Sequence, residues 1–391
     1  MKIGIVTIID YINYGNRLQN YAVQKVLNNM GFETESIQNI PYNDIQYISE
    51  GLSGKDKIRN DLRKIPPLSK VLFLKTKLGY NWRSKKTQLK KILQKNKSDR
   101  QVLFQMREER FREFNTKYIK ESSFCLSEVD MSQKELDDFD YFVTGSDQVW
   151  NPLYKRGNAI YFLQFAPKEK RIALSASFGI SEYPSNRLVQ LRKYLEGIDY
   201  ISVREERAKE IVEENSSKKA AVLIDPTLML ECSEWEEIAK APEVEIPEKY
   251  VMTFFLGGMS EETKTYIYDL AKQHGDSVVS LLDIEQQEYF ACNPSEFIYL
   301  IKNAQKVYTD SFHASVFSII FHTNFQVFRR NGSADMFSRI ETLMGTFGLE
   351  SCICDKPYTD HQISQEMFQK VDEILCGKRE EALCWIKSVI K

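Results

Sequence analysis

Apolar residues fall along this chain in short runs, and the runs alternate with amphipathic stretches. Residues 2–9 (KIGIVTII) are nearly continuous in Ile and Val, the pattern of a strand buried on both faces of a parallel sheet. A polar loop, DYINYGNRLQN, follows. A helical pattern, YAVQKVLNNMGF, then closes on Asn-Met-Gly, and ETESI at 33–37 reads as a second strand. Further strands are expected at 140–144 (DYFVT), 171–176 (RIALSA), 200–203 (YISV) and 221–224 (AVLI). Helices are expected at 188–198 and through REERAKEIVEEN, and DPTLML reads as a turn initiated by proline. PEVEIP at 242–247 marks a hinge region. After it, strands are expected at 250–256, 277–282, 306–309 and 325–328, with helices at 261–274, 294–303, 314–321 and 338–349.

Alternation this regular specifies a parallel sheet with helices on both faces. At 391 residues the chain exceeds one ordinary core. The expected fold is therefore α/β, with two Rossmann-like domains facing across a cleft. Residues 1–240 would form the first, with a basic helical insertion at about 50–120; residues 241–391 would form the second, with terminal helices.

Composition changes this picture in three places. From Lys55 to Arg100 basic residues recur with only Asp56, Asp61 and Asp99 opposing them, and leucines recur at roughly helical spacing. Basic amphipathic helices fit, either as a solvated charged face or as peripheral contact with an anionic membrane surface or a lipid-phosphate-linked acceptor. The whole chain carries a net charge of -2, which argues neither for nor against a polyanionic partner; no nucleic-acid partner is expected. Seven cysteines without a CxxC pair suit reduced thiols in a cytoplasm, and no metal site is expected. The start lacks a signal-peptide pattern, and no apolar run reaches the ~20 residues of a membrane helix.

In open parallel sheets, ligands bind beyond the carboxyl ends of the strands. That rule selects Asp10, Tyr14, Gly15, Asn16 and Gln19 after the first strand, and Gly145, Ser146, Asp147, Gln148 and Trp150 after DYFVT. It also selects Ser177, Gly179, Arg204 and Glu205, then Gly257 and Gly258, and finally Asp310, Ser311, His313 and Ser315. Each has a structural alternative: turn glycines, helix caps at Asp147 and Ser311, a surface ion pair at Arg204, a packed imidazole at His313. Yet their chemistry converges. A helix starting at Ser311 offers free N–H groups to an anion. Arg204 offers a fork to a carboxylate or phosphate. His313 alone among them has an unperturbed pKa suited to proton transfer near neutrality. No GxxxxGK[ST], GxGxxG or nucleophile elbow occurs, which weakens nucleotide-hydrolase, dinucleotide-redox and serine-hydrolase readings.

In their order and spacing, IGIVTIIDYINYGNRLQNYAV, FVTGSDQVWNP, ALSASFGI, ISVREERAKEIV, LIDPTLML and VYTDSFHASVFSIIF resemble the polysaccharide pyruvyl transferase family over roughly residues 3–330. Residues 40–120 and 340–391 carry no recognisable motif. The resemblance implies a two-domain protein of the GT-B type with its active cleft between the halves. It implies transfer of a pyruvyl group from phosphoenolpyruvate to a sugar of a cell-surface polysaccharide or its lipid-linked precursor, forming a ketal and releasing phosphate without a cofactor. The family's strand-end arginine matches Arg204, and the histidine of its Arg-x-His motif matches His313. The arginine of that motif is replaced by Ser311, with Arg207, Arg329 and Arg330 as possible substitutes. On this reading His313 is general acid or phosphate ligand, and Asp147, or else Asp310, is the base toward the acceptor. Arg204, Ser311, Ser315, Gly257 and Gly258 bind the donor. Asn16 and Gln148 hydrogen-bond sugar hydroxyls, and Trp150 or Tyr14 stacks on a sugar ring. Two other functions fit the same fold: a glycosyltransferase using a nucleotide-sugar donor, and a non-catalytic binder of sugars or lipid phosphates.

Overall fold

The computed structural model of the chain describes residues 1–40, 98–127, 130–152, 157–330 and 337–391. The basic stretch at 55–97, on which the membrane-contact expectation rests, lies outside them. No described helix is long and apolar enough to cross a membrane.

Two parallel sheets organise the described residues. The first contains β1 (Lys2–Val6), β2 (Glu33–Ile40), β3 (Glu121–Ser127), β4 (Tyr141–Thr144), β5 (Arg171–Ala176), β6 (Tyr200–Val203) and β7 (Ala220–Val222). Their spatial order is β3-β2-β1-β4-β5-β6-β7, every pairing parallel. The second contains β8 (Tyr250–Phe254), β9 (Ser277–Ser280), β10 (Lys306–Thr309), β11 (Phe325–Phe328) and β12 (Ile353–Cys354), in the order β12-β11-β10-β8-β9, again all parallel. Each order reverses once, between β1 and β4 in the first sheet and between β8 and β10 in the second. Those switch points open crevices at the carboxyl ends of the strands. The two-sheet α/β architecture expected from the pattern is present.

The helices lie between and around the sheets. They are α1 (Tyr14–Asn29), α2 (Ser98–Tyr118), α3 (Leu188–Glu196), α4 (Glu206–Asn215), α5 (Pro226–Met229), α6 (Cys232–Glu236), α7 (Glu261–His274), α8 (Gln287–Phe290), α9 (Pro294–Asn303), α10 (Phe312–Ile320), α11 (Ser338–Phe347) and α12 (Gln365–Val389). Most strands and helices match the apolar pattern to within a few residues. The start of α1 does not. The expected loop DYINYGNRLQN is helical from Tyr14 onward, capped by the Asn13 side chain, which accepts from the Asn16 N–H. Its polar residues misled the pattern because they are buried and satisfy one another. Arg17 donates to the Ile8 carbonyl (2.6 Å), Asn115 Oδ1 (3.0 Å) and Asn16 Oδ1 (2.7 Å), and Gln19 donates to Thr7 Oγ1 (2.7 Å).

One apolar core runs through both halves. It joins Ile3, Ile5, Tyr14 and Leu18 of the first to Phe254, Phe297, Val316 and Phe317 of the second. Tyr14 stacks on Phe297 with ring centroids 4.4 Å apart. Its hydroxyl donates to the Cys292 carbonyl (2.7 Å) and accepts from Arg107 (2.9 Å). Helix α2 falls inside the segment expected as a basic insertion, and it braces the two halves. Arg107 donates to the Phe290 carbonyl, and Arg110 pairs with the fully buried Glu296 carboxylate at 2.5 Å. Burial holds the Glu296 carboxyl above the usual range even with Arg110 opposing it. The chain finally returns to the first half through α12. Arg379 donates to the carbonyls of Leu228 (2.8 Å) and Leu230 (2.6 Å) at the end of α5 and pairs with Glu231.

Candidate active site

Arg204 leaves β6 at its carboxyl end and is buried. Its Nη1 donates to Asp225 Oδ2 at 2.5 Å, and its Nη2 lies 3.7 Å from Asp147 Oδ1. Asp225 caps α5. Its Oδ1 accepts from the Thr227 N–H (3.0 Å) and hydroxyl (2.7 Å), and its Oδ2 accepts from the Ser146 hydroxyl (2.7 Å). Burial alone would raise this carboxyl. The Arg204 guanidinium, His313 and the two hydroxyls instead carry it below the ordinary carboxylate range. His313 sits in the first turn of α10, and its Nε2 lies 4.0 Å from Asp225 Oδ2 without a hydrogen-bond partner. The expected meeting of imidazole and guanidinium therefore occurs, through a carboxylate that lies between them.

The imidazole is deeply enclosed. Burial lowers its pKa to about 4, with Arg204 and Arg339 acting in the same sense and Asp225 and Asp147 opposing. His313 is thus neutral at pH 7 in the free protein rather than a standing cation. Gly15, at the start of α1, lies against the ring: a β-carbon there would fall 2.0 Å from Nδ1.

A cavity of about 380 Å³ opens between the halves; Arg204 and Asp225 line it, whereas His313 and Asp147 lie behind them and do not. Arg204, Leu223, Asp225 and Leu228 line it from the first half, and Phe312, Arg339, Thr342 and Leu343 from the second. Arg204 Cζ lies 4.4 Å from the Phe312 ring centroid and Arg339 Cζ 5.8 Å from the same ring. Arg339 is buried, and burial together with repulsion from Arg204 lowers its pKa to about 10. With the Gln148 amide oxygen turned toward it, that oxygen accepts from Arg339 Nη1 (3.1 Å) and Nη2 (2.6 Å).

Several expected roles need correcting. Tyr14 is 1% exposed and Trp150 0%; Trp150 stacks on Phe162 at 4.8 Å and donates to the Tyr161 carbonyl. With Tyr14 stacked on Phe297, neither ring has a face free for a sugar. Asn16 is spent within the fold: its Oδ1 serves Arg17 and the Asp10 N–H, and its Nδ2 reaches Asp147 Oδ2 at 3.4 Å. Gln148 faces Arg339.

Asp310 binds the Leu256 and Gly257 N–H groups (2.6 and 2.8 Å) and Arg330 (3.1 Å), so its carboxylate braces the turn after β8. That turn, with Gly257 and Gly258, does not line the cavity. Ser311 caps α10 by accepting from the Ala314 N–H, and Ser315 donates back to the Ser311 carbonyl. None of the three arginines considered as substitutes lines the cavity. Arg207 pairs with Glu210 and Glu214, Arg329 with Glu341 and Asp355, and Arg330 with Asp310.

Asp225 and Arg339 are the site residues that sequence reasoning missed. Asp225 had a signal, since it follows a predicted strand end within LIDPTLML; its proline drew it into a turn instead. Arg339 follows no strand and had none.

A sequence model of the family described as polysaccharide pyruvyl transferase matches residues 13–331. No curated protein matches the chain. Among solved structures, the UDP-GlcNAc 2-epimerase of Methanocaldococcus jannaschii is similar at 12% identity, covering 96% of this chain and 92% of that one, with a TM-score of 0.44. A structure of the same organism's enzyme in complex with UDP-GlcNAc and UDP matches at 12% identity over 96% and 100% of the two chains, with a TM-score of 0.39.

Proposed function

Because the chain belongs to the polysaccharide pyruvyl transferase family, we propose that it transfers a pyruvyl group from phosphoenolpyruvate to a sugar of a polysaccharide or its lipid-linked precursor. The observation that carries this reading is the grouping of Arg204, Asp225 and an unpartnered His313 Nε2 beside an inter-half cavity. A small, highly charged donor fits a buried guanidinium, and a carbon acid–base step fits an imidazole poised to gain a proton.

The chemistry then runs as follows. The donor anion rests in the cavity against Arg204. Its negative charge raises the depressed His313 pKa, so that the imidazole takes up a proton as the donor binds. His313 gives that proton to the methylene carbon. An acceptor hydroxyl forms a C–O bond to the adjacent cationic carbon and passes its proton to Asp147. The C–O bond to phosphate breaks, and phosphate leaves with the bonding electron pair. A second hydroxyl of the same sugar then bonds to the same carbon and closes the ketal; its proton returns to the now neutral His313, and the proton held by Asp147 leaves on the phosphate, so both residues are restored. Charge developing on the departing phosphate is met by guanidinium and imidazolium in a water-poor site, where each contact is stronger than in solution.

The test is incubation with phosphoenolpyruvate and a panel of sugar acceptors, following phosphate release and product mass together. Phosphate release with the mass gain of a ketal supports the reading. Nucleoside diphosphate release from a nucleotide sugar, with phosphoenolpyruvate inert, would overturn it.

A further inference from the structure

Building on that donor, we propose that Arg339 is the second donor-binding guanidinium of this chain, in place of the arginine that the family motif puts where Ser311 stands. Position 311 has no cation to offer, and its side chain is committed to capping α10. The three arginines considered above as substitutes are tied to carboxylates away from the cavity. Arg339 differs from all of them: it is 8% exposed, it lines the cavity, and no carboxylate pairs with it among the described residues. The Gln148 amide lies against it; with the amide oxygen turned toward the fork, this neutral group orients it without cancelling the charge.

The charge balance of the site requires such a residue. Arg204 faces two carboxylates, Asp225 and Asp147. With His313 neutral, those three groups together are net negative and would repel a polyanion. The buried Glu205 carboxylate acts on both guanidiniums as well, so Arg339 offsets one of the excess negative charges and a proton on His313 offsets another. A guanidinium buried beside another, with a neutral partner alone, is costly in the empty protein. An anion lying between Arg204 and Arg339 relieves desolvation and mutual repulsion at once. Phosphoenolpyruvate carries a carboxylate and a phosphate, one for each fork, and both guanidiniums approach the same Phe312 ring, at 4.4 and 5.8 Å from its centroid.

The test is calorimetric titration of phosphoenolpyruvate into the wild type, Arg339→Gln, Arg339→Lys, Arg329→Gln and the double variant Ser311→Arg/Arg339→Gln, with thermal unfolding to confirm that each is folded. Losing a charged hydrogen-bonding fork weakens binding roughly 10- to 100-fold, so Arg339→Gln is expected to fall in that range. Arg339→Lys should fall between it and the wild type, and Arg329→Gln should bind normally. Recovery in the double variant would show that the two positions serve one role. Folded Arg339→Gln and Arg339→Lys proteins that bind phosphoenolpyruvate like the wild type would remove Arg339 from the site while leaving the donor assignment standing. A wild type that does not bind phosphoenolpyruvate would overturn both.

Discussion

Gly15 and His313 touch across the two halves of the molecule, where the first turn of α1 meets the first turn of α10. A β-carbon at Gly15 would lie 2.0 Å from Nδ1, 2.5 Å from Cγ and 2.7 Å from Cε1 of the imidazole. Either the ring or the helix must move to accept it, and both sit in packed surroundings. Overpacking of this kind costs about 1–3 kcal/mol, and a misplacement of about 1 Å at a reacting group costs on the order of 100-fold in rate. Gly15→Ala should therefore remain folded with a lowered Tm and lose roughly two orders of magnitude in kcat/KM for phosphate release. Wild-type turnover would show that the His313 ring has no fixed catalytic position.

The buried imidazole also makes a statement about stability. His313 has a folded-state pKa of about 4 against an ordinary 6.5. Between those values the unfolded chain binds a proton that the folded protein refuses, so stability rises with pH across that window. It is fully present above about pH 6.5 and is lost as pH falls toward 4. The whole effect is on the order of 3 kcal/mol. Urea unfolding at about pH 5 and pH 7.5 should show a smaller difference for His313→Gln than for the wild type. Equal pH dependence in the two proteins would mean that the ring is solvated.

Asp225 gathers the site by accepting from Arg204, Ser146 and Thr227 at once. Breaking a buried pair leaves a charge without its partner and costs roughly 3–5 kcal/mol. Asp225→Asn should lower the denaturant midpoint by a matching amount and abolish phosphate release, while Asp10→Asn, at a partly exposed turn, should do far less to stability. A stable, active Asp225→Asn protein would refute the role of the carboxylate between guanidinium and imidazole.

Tyr14→Phe distinguishes the packed role of this ring from the sugar-stacking role that its position in the sequence suggested. Removing the hydroxyl deprives the Cys292 carbonyl and Arg107 of a partner inside the interface, at a cost of about 1–3 kcal/mol. The variant should lose stability and keep its KM for the acceptor. A raised acceptor KM with unchanged stability would place the ring in the acceptor site after all.

What the sequence determined by itself was the alternation of elements and the ends of the strands. Runs such as KIGIV and KVYT are apolar because both faces of a parallel sheet are covered, and that burial is local enough to be written in consecutive residues. Strand ends then located Arg204 and His313. Tertiary structure alone decided which polar residues face the cavity. Asn16, Gln19 and Tyr14 look like loop chemistry in the chain, yet they are helical and buried, since their partners at Asp147, Thr7 and Cys292 lie on other elements. Asp225 and Arg339 become site residues only when the two halves close on Phe312. Periodicity records whether a position is covered; it cannot record what covers it, because hydrogen bonds and charge pairs are set by distance in space, and the residues that share this cavity come from strands and helices far apart in the chain.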